Sequence, residues 1–425
     1  GQQHFEHQPR KISMNQQNFE QVSFDATCRF VIKLGLASHA YGSTPDRLEA
    51  YLLRLTEALG YRGTFQSTPN NVEFAFQEQP DQWQKRHLAT TPVPGLDLDK
   101  LTRVGDILNA VVAKEITVVD ASAQLDEIAK RPVPWGKIAN TFSYACVGAG
   151  LVILLGGGWI EVLAGTLLSM LVYGMVLFAE RTGTRSTDWL PLSTAFVVAT
   201  LVTVAKIWIP ELNIVFITLA AVAVLLPGYS ISLGIIELVT QQVISGTMNL
   251  MSGFVYLVKQ IAGAWLGVGL VSIFFTIPTT SAGTTVNRTW LWLFMPLLII
   301  GLCVIFQTAR RDFLWACVAC AIAYGGIVLG SFIVNANLGN FLGTILAVVF
   351  ANLWARQTKR PISIVLLPAI ILLVSGSIGF RGLAAIAEGK TDVGVQQFSQ
   401  MFIVALTIAA GLLVGNTVVR PKVTL

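Results

Sequence analysis

Residues 225–250, which read LLPGYSISLGIIELVTQQVISGTMNL, are the stretch that decides the fold. An apolar run ends at Leu226 and is followed directly by Pro227-Gly228. Proline lacks an amide hydrogen and glycine weakens a helix interior, so the pair predicts an interrupted helix with free backbone N–H and C=O groups. Such breaks can hold polar substrates, although a helix that simply ends at a membrane surface would give the same pattern.

A weaker copy of this stretch lies at residues 372–398, LLVSGSIGFRGLAAIAEGKTDVGVQQF. The glycines of the two copies are related by a fixed offset of 148 residues: Gly228, Gly234, Gly246, Gly263 and Gly267 correspond to Gly376, Gly382, Gly394, Gly411 and Gly415, whereas Gly253 falls on another residue, Met401. The correspondence predicts an internal repeat. The alternative is that the glycines mark helix packing faces without a repeat.

Apolar residues make up 53% of the 425 residues and charged residues only 12%, about half the share in soluble domains. Segments long enough to cross a bilayer fall near 138–156, 159–179, 190–209, 212–233, 250–275, 290–308, 313–333, 338–355, 361–379 and 398–419. These ten segments predict an integral membrane all-α protein. Because each half of the repeat holds five helices, the two halves are expected to insert in opposite orientations, as two inverted five-helix repeats.

The chain is expected to divide into four parts. These are a disordered or tag-derived leader (1–21), a soluble cytoplasmic α+β domain (22–133), a first five-helix membrane repeat (134–282) and a second one (283–425). Within the α+β domain the patterns predict helices near 24–40, 44–60, 98–113 and 117–130, and strands near 62–66 and 71–76.

The distribution of Lys and Arg predicts the orientation. If the amino-terminal domain is cytoplasmic, most of the basic residues between spans lie on its side, and the other side carries only Lys206, Arg288, Arg381 and Lys390. This predicts a multi-pass protein of the cell (cytoplasmic or inner) membrane with both termini in the cytoplasm.

The sequence resembles the threonine/serine exporter family. The resemblance is carried by KLGLASHAYGSTPDRLEAYLLRLTEALGY (33–61), LTRVGDILNAVVAKEITVVDASAQLDEI (101–128) and the two repeat stretches quoted above. It implies a cytoplasmic amino-terminal domain joined to two membrane units, and export of small hydroxy amino acids driven by the proton gradient. The second copy reads Val-Ser-Gly where the first reads Leu-Pro-Gly, so the two breaks are not expected to be chemically equivalent.

The candidate substrate and ion site follows from the breaks and from polar groups at membrane depth. Glu237 is the first candidate for a proton carrier, because it lies three residues beyond Gly234 on the segment expected to move. The full set is Pro227, Gly228, Ser230, Ser232, Glu237, Asn249, Lys259, Ser375, Gly376 and Ser377.

No catalytic, metal-binding or cofactor motif occurs, so the chain is predicted to be no enzyme and to need no cofactor or metal. No nucleic-acid motif occurs either. The expected partners are a small amino-acid substrate, protons and the lipid bilayer, and a homo-oligomer is an open alternative. A channel or facilitator for small polar solutes, or a membrane sensor that signals through the amino-terminal domain, are the alternatives to a proton-coupled exporter.

Overall fold

The computed structural model describes residues 23–79, 82–92, 95–279, 283–373 and 376–421. Its amino-terminal part begins with two helices, α1 (Phe24–Ala40) and α2 (Pro45–Ala58), followed by three strands, β1 (Arg62–Thr68), β2 (Asn71–Gln77) and β3 (Lys85–Thr90). Helices α3 (Leu98–Val112) and α4 (Val118–Lys130) complete it. That this part is a separate soluble domain stays a prediction.

One apolar core holds the amino-terminal part together. Leu48, Leu52 and Leu55 recur at helical spacing on α2 and are fully buried, as the amphipathic pattern predicts. They pack with Leu34 of α1 and Phe74 of β2 in the same cluster. The helices therefore cover one face of the sheet.

The sheet is antiparallel with the order β1-β2-β3. Strands β1 and β2 form a hairpin in which Thr68 pairs with Asn71 across Pro69-Asn70. The sequence does not predict β3, because five of its six side chains are exposed and it shows no apolar alternation. Backbone pairing with β2 places it.

The described residues of the membrane part form twelve α-helices. They are α5 (Lys137–Leu154), α6 (Trp159–Thr182), α7 (Thr184–Trp208), α8 (Ile214–Val222), α9 (Gly228–Val239), α10 (Val243–Phe274), α11 (Leu291–Ile305), α12 (Phe313–Ile333), α13 (Ala336–Thr358), α14 (Ser363–Leu373), α15 (Gly376–Ala387) and α16 (Thr391–Val418). Within the described ranges, nine helical segments are long and apolar enough to cross a membrane, and the bent pair α8–α9 makes a tenth if it counts as one span. An integral membrane all-α protein with nine or ten candidate spans is therefore confirmed.

The order of elements is the same in the two halves of the membrane part. Three long helices come first (α5–α7 and α11–α13), then two short consecutive ones (α8–α9 and α14–α15), then one long helix (α10 and α16). Their packing matches as well: α9 lies on α10, and α15 lies on α16. The inverted orientation of the halves stays a prediction.

Glycines allow the same close approach in both halves. A methyl group added at Gly234 would lie 2.8 Å from the carbonyl oxygen of Gly246. One added at Gly382 would lie 3.0 Å from the carbonyl oxygen of Gly394. These two pairs occupy the positions that the fixed offset relates, so equivalent helices approach each other at equivalent residues.

Gly253, which the offset relates to Met401, is part of a contact in which the small and the large residue have exchanged helices between the two halves. In the first half Gly253 of α10 receives the side chain of Ile231 from α9, with 2.6 Å between Ile231 Cγ1 and a methyl carbon built at Gly253. In the second half Gly379 of α15 receives the side chain of Met401 from α16. The large residue has moved to the other helix of the pair, and the contact is kept.

The amino-terminal part is fixed to one end of the helical bundle. The amides of Leu98 and Asp99, at the start of α3, donate to the carbonyls of Phe306 and Gln307 at 3.1 and 2.9 Å. Arg311 forms an ion pair with Asp106 at 2.6 Å.

The end of α16 reaches the same end of the bundle. Asn352, near the end of α13, donates to the Val419 carbonyl at 2.8 Å, and Arg356 donates to the Arg420 carbonyl. The segment after α13 also meets α3, where Asn109 donates to the Lys359 carbonyl at 3.5 Å. Helix α3 and the end of α16 therefore lie at the same end of the bundle.

Candidate functional site

The interruption predicted at Pro227-Gly228 is present. Helix α8 runs into one 3-10 turn, Ala223–Leu225, and α9 then starts at Gly228 with its axis bent by 61°. Pro227 precedes α9, and no side chain caps the amino terminus of that helix. The first N–H groups of α9 are therefore not satisfied by a side-chain cap.

A buried amide on the neighbouring helix stabilises the break. Gln260 of α10 is fully buried and its Nε2 donates to the Leu225 carbonyl at 3.3 Å. A free carbonyl at membrane depth costs several kcal/mol, on the order of a lost hydrogen bond in an apolar medium, so this contact offsets part of the cost of interrupting the helix.

The break lies in the wall of a cavity of about 1390 Å³. Residues 223–230 line it together with side chains from both halves of the membrane part and from the amino-terminal part. The amino-terminal wall is formed by His39, residues 42–45, residues 68–70 and residues 95–96. The cavity thus reaches from the amino-terminal part to the interrupted helix.

Five of the ten predicted site residues meet in this cavity: Pro227, Gly228, Ser230, Asn249 and Lys259. Lys259 also donates from Nζ to the backbone carbonyl of Asp188 on α7, at 3.3 Å. Pro227, Gly228 and Ser230 lie in one predicted span, Lys259 lies in the next, and Asn249 comes just before it. The pairing of α9 with α10 brings these residues together.

Glu237 lies near the end of α9 and does not line the cavity. Its side chain is 3% exposed, and Oε2 accepts a hydrogen bond from Asn249 Nδ2 at 2.8 Å. Oε1 lies near the buried hydroxyl of Ser245 but makes no hydrogen bond of normal distance and angle within the described residues. Asn249 is therefore shared, since one side of it faces the cavity and its amide holds the carboxylate.

The remaining predicted residues do not join the cavity in the described part of the chain. Ser232 is buried in α9 and is not part of the lining. Ser375 lies outside the described residues. Gly376 is the first residue of α15, and the side chain of Ser377 lies outside what the structure describes.

Arg381 is a residue of the cavity that the sequence argument assigned elsewhere. It was expected in a loop on the far side of the membrane, but it lies inside α15, within the candidate span Ser363–Ile386, and it lines the cavity. The expectation was wrong because the apolar run was ended at residue 379, while the helix continues to Ala387. The Gly379-Phe380-Arg381-Gly382 stretch of the repeat is the signal that could have identified it.

Two other charged residues at membrane depth serve the fold. Glu161 accepts from the amides of Gly158 and Asn213 at 2.7 and 2.8 Å, which caps α6 and holds the start of α8. Lys206 is buried and donates to the Leu212 carbonyl at 2.6 Å. Both side chains form hydrogen bonds with nearby backbone groups, in agreement with a structural role.

His39 belongs to the amino-terminal wall of the cavity. It is 2% exposed and its Nε2 lies 2.9 Å from the Thr91 hydroxyl. Burial lowers the pKa of His39 below its ordinary value, and the nearby Pro69 carbonyl opposes that shift. The wall is therefore neutral at this point near pH 7.

The chain matches two family models that together cover most of it. Residues 29–271 match the threonine/serine exporter model, and residues 291–418 match the model described as threonine/serine exporter, ThrE. The junction between the two matches falls between α10 and α11, where the repeated element order begins again.

Curated relatives come from yeasts. Pheromone-regulated membrane protein 10 of Pichia sorbitophila is 24% identical over 82% of this chain and 36% of its own length. The proteins of the same name from Candida albicans and Candida glabrata are 25% and 24% identical, over 83% and 86% of this chain and 33% and 48% of their own lengths. The chain thus spans a third to a half of these relatives. No solved structure matches it significantly.

Proposed function

Because the chain belongs to the threonine/serine exporter family, we propose that it is a secondary active transporter that exports threonine, serine or similar small amino acids by alternating access. The observation that carries this proposal is the cavity at the interrupted helix, since half-helix ends at membrane depth present both N–H and C=O groups to a polar solute. An amino acid is a zwitterion and needs both kinds of group.

The repeated architecture supports alternating access. Both halves contribute to the cavity, because α9 and α10 of the first half and α15 and α16 of the second half line it. An odd number of spans in each half places two related halves in opposite orientations, and rocking of one against the other opens the cavity to each side in turn. The glycine contacts at Gly234 and Gly382 support equivalent movable units.

Orientation follows from the end of the bundle where the amino-terminal part lies. The basic residues on the segments at that end include Arg131, Arg310, Arg311, Arg360 and Arg420, and positive charge of this kind favours the cytoplasmic side. We therefore place the amino-terminal part and both termini in the cytoplasm, with the protein in the cell membrane.

Glu237 is the proposed proton carrier. Its carboxylate is buried on α9, the helix that follows the break, and Asn249 connects it to the cavity. An intramembrane carboxylate held by a neutral amide can gain or lose a proton without breaking an ion pair. Protonation can thus change the Glu237–Asn249 contact while Asn249 faces the substrate space.

The test is efflux of radiolabelled threonine and serine from vesicles that contain the purified chain, with and without an imposed pH gradient. We expect wild type to show gradient-stimulated efflux and Glu237→Gln to fall to the rate seen without a gradient. Glu388→Gln, an exposed carboxylate beyond α15, is the matched control and should behave as wild type.

Three other results would change the proposal. Stimulation that survives in Glu237→Gln keeps the exporter and removes Glu237 from proton transfer. Flux that an imposed gradient leaves unchanged favours a facilitator. Vesicles that release neither amino acid contradict threonine and serine export.

A further inference from the structure

Arg381 is a cation in the membrane part without a partner in the described part of the chain. It is half-buried, no hydrogen bond or ion pair is made by its guanidinium there, and its Nε is fully shielded from solvent. A buried donor left without an acceptor is destabilising, and more so when it is charged. A cost of this kind is typical of a group kept for a ligand.

The fold itself does not require an arginine at this place. The position that the fixed offset relates to Arg381 is Leu233 of α9, which lines the same cavity. The residues three positions earlier, Ser230 and Ile378, also both line it. The two repeats thus point equivalent helix faces at one cavity, and at this position only the second repeat has a cation.

The surroundings of Arg381 favour an anion. The amino terminus of α9 is not capped by a side chain and opens into the same cavity at Gly228, and helix amino termini carry partial positive charge. The other cation of the lining, Lys259, already donates to the Asp188 carbonyl. Arg381, unlike Lys259, has no acceptor among the described residues.

We propose that Arg381 binds the α-carboxylate of the transported amino acid. A guanidinium presents two parallel N–H groups that match the two oxygens of a carboxylate. The interrupted end of α8 offers carbonyl oxygens to the ammonium group of the same solute, because the last carbonyls of a helix have no partner within it. This inference rests on the proposed export function and adds the group that selects an amino acid over an amino alcohol.

The experiment measures the concentration dependence of threonine transport in vesicles for wild type, Arg381→Lys, Arg381→Gln and a control, Lys390→Gln. Lys390 is exposed just beyond α15 and pairs with Glu388, so its variant removes one positive charge outside the cavity. We expect the KM for threonine to rise about 10- to 100-fold in Arg381→Gln, the effect of losing a charge-assisted pair. Arg381→Lys should fall between, because an ammonium keeps the charge but not the paired geometry.

A second measurement uses threoninol, which carries a CH₂OH group in place of the carboxylate. Wild type should be inhibited by threonine far more strongly than by threoninol, and Arg381→Gln should lose most of that difference. This comparison is made on the wild-type chain first, so it stands even if Arg381→Gln does not fold.

The outcomes separate the inference from the function on which it rests. If wild type transports threonine and Arg381→Gln is folded with an unchanged KM, the inference is wrong and the export function stands. Equal inhibition of wild type by threonine and threoninol also overturns it. If wild type transports neither threonine nor serine, the proposed function fails first and the carboxylate assignment falls with it.

Discussion

The two halves of the membrane part share a scaffold and differ in chemistry. Helices α5–α10 and α11–α16 follow the same order, and glycines at related positions let α9 meet α10 and α15 meet α16. Yet the first half alone has a proline at its break and the buried carboxylate of Glu237, whose related position in the second half is Ala385. The second half alone has Arg381, related to Leu233.

This difference indicates what each kind of residue does. Packing contacts must be kept in both halves if both are to move as similar units. A change of size on one helix is therefore compensated on the helix packed against it, as in the pairs Ile231–Gly253 and Gly379–Met401. A binding or proton-carrying group is needed only once, because one cavity serves both halves. Single-copy polar residues on a repeated scaffold are therefore the first places to look for function.

The largest effect that tests this scaffold is expected at Gly263. A methyl group there would lie 2.1 Å from the Leu192 carbonyl oxygen, a backbone atom that cannot give way without moving α7 from α10. Gly263→Ala should lower stability by about 1–3 kcal/mol or more, as overpacking does. The readout is the melting temperature of the purified chain in detergent, with threonine efflux measured in parallel.

The related substitution in the second half, Gly411→Ala, is the comparison for that experiment. Its methyl group would lie 2.7 Å from Thr344 Cβ and 2.9 Å from the Phe341 carbonyl oxygen, so it is also unfavourable but less so. We expect the melting temperature to be highest for wild type, lower for Gly411→Ala and lowest for Gly263→Ala. A reversed order would contradict the conclusion that the contact at Gly263 is tighter than the contact at Gly411.

An intermediate effect is expected at the reciprocal exchange. Gly253→Met alone clashes with Ile231, whereas Gly253→Met combined with Ile231→Gly gives the first half the arrangement that Gly379 and Met401 have in the second. The double variant should be more stable than the sum of the single changes predicts, by a coupling of about 0.5–3 kcal/mol. Melting temperatures of the four proteins measure it, and additive changes would mean that the exchange does not preserve the contact.

Much of the fold could be predicted from local sequence, because its signals are local. A Pro-Gly pair such as Pro227-Gly228 interrupts a helix through its own backbone chemistry, whatever packs around it. The spacing of Leu48, Leu52 and Leu55 identifies the buried face of α2. Strand β3 could not be predicted, since five of its six side chains are exposed and its pairing with β2 is a contact that the local sequence does not show.

The candidate site was harder to predict, because its composition depends on rotation about helix axes and on packing between distant segments. Ser230 lines the cavity while Ser232 is buried elsewhere, although they are only two positions apart, because a step of two residues turns a helix by about 200°. Arg381 ended the apolar run and so looked like a loop residue. Only the approach of α15 to α9 shows that it faces the cavity.

The smallest effect concerns the wall that the amino-terminal part gives to the cavity, which has no counterpart in either repeat. His39 is buried there, and its lowered pKa means that the unfolded chain binds a proton near pH 6.5 while the folded chain does not. The stability of this part is therefore complete above pH 6.5 and declines as the pH falls below 6.5 towards the lowered pKa. Glu49 acts in the opposite direction, because burial raises its pKa, so its contribution is lost as the pH rises.

We expect His39→Gln to flatten the loss of stability between about pH 7 and pH 5.5, because glutamine binds no proton in either state. The matched control is His87→Gln, which changes an exposed histidine on β3. Resistance to proteolysis of the amino-terminal part, followed across this range in the full chain, measures the effect. If His39→Gln and wild type lose stability in parallel, titratable groups other than His39 cause the loss of stability at low pH. The cavity wall formed by the amino-terminal part then differs from the two repeats in its shape and not in its response to pH.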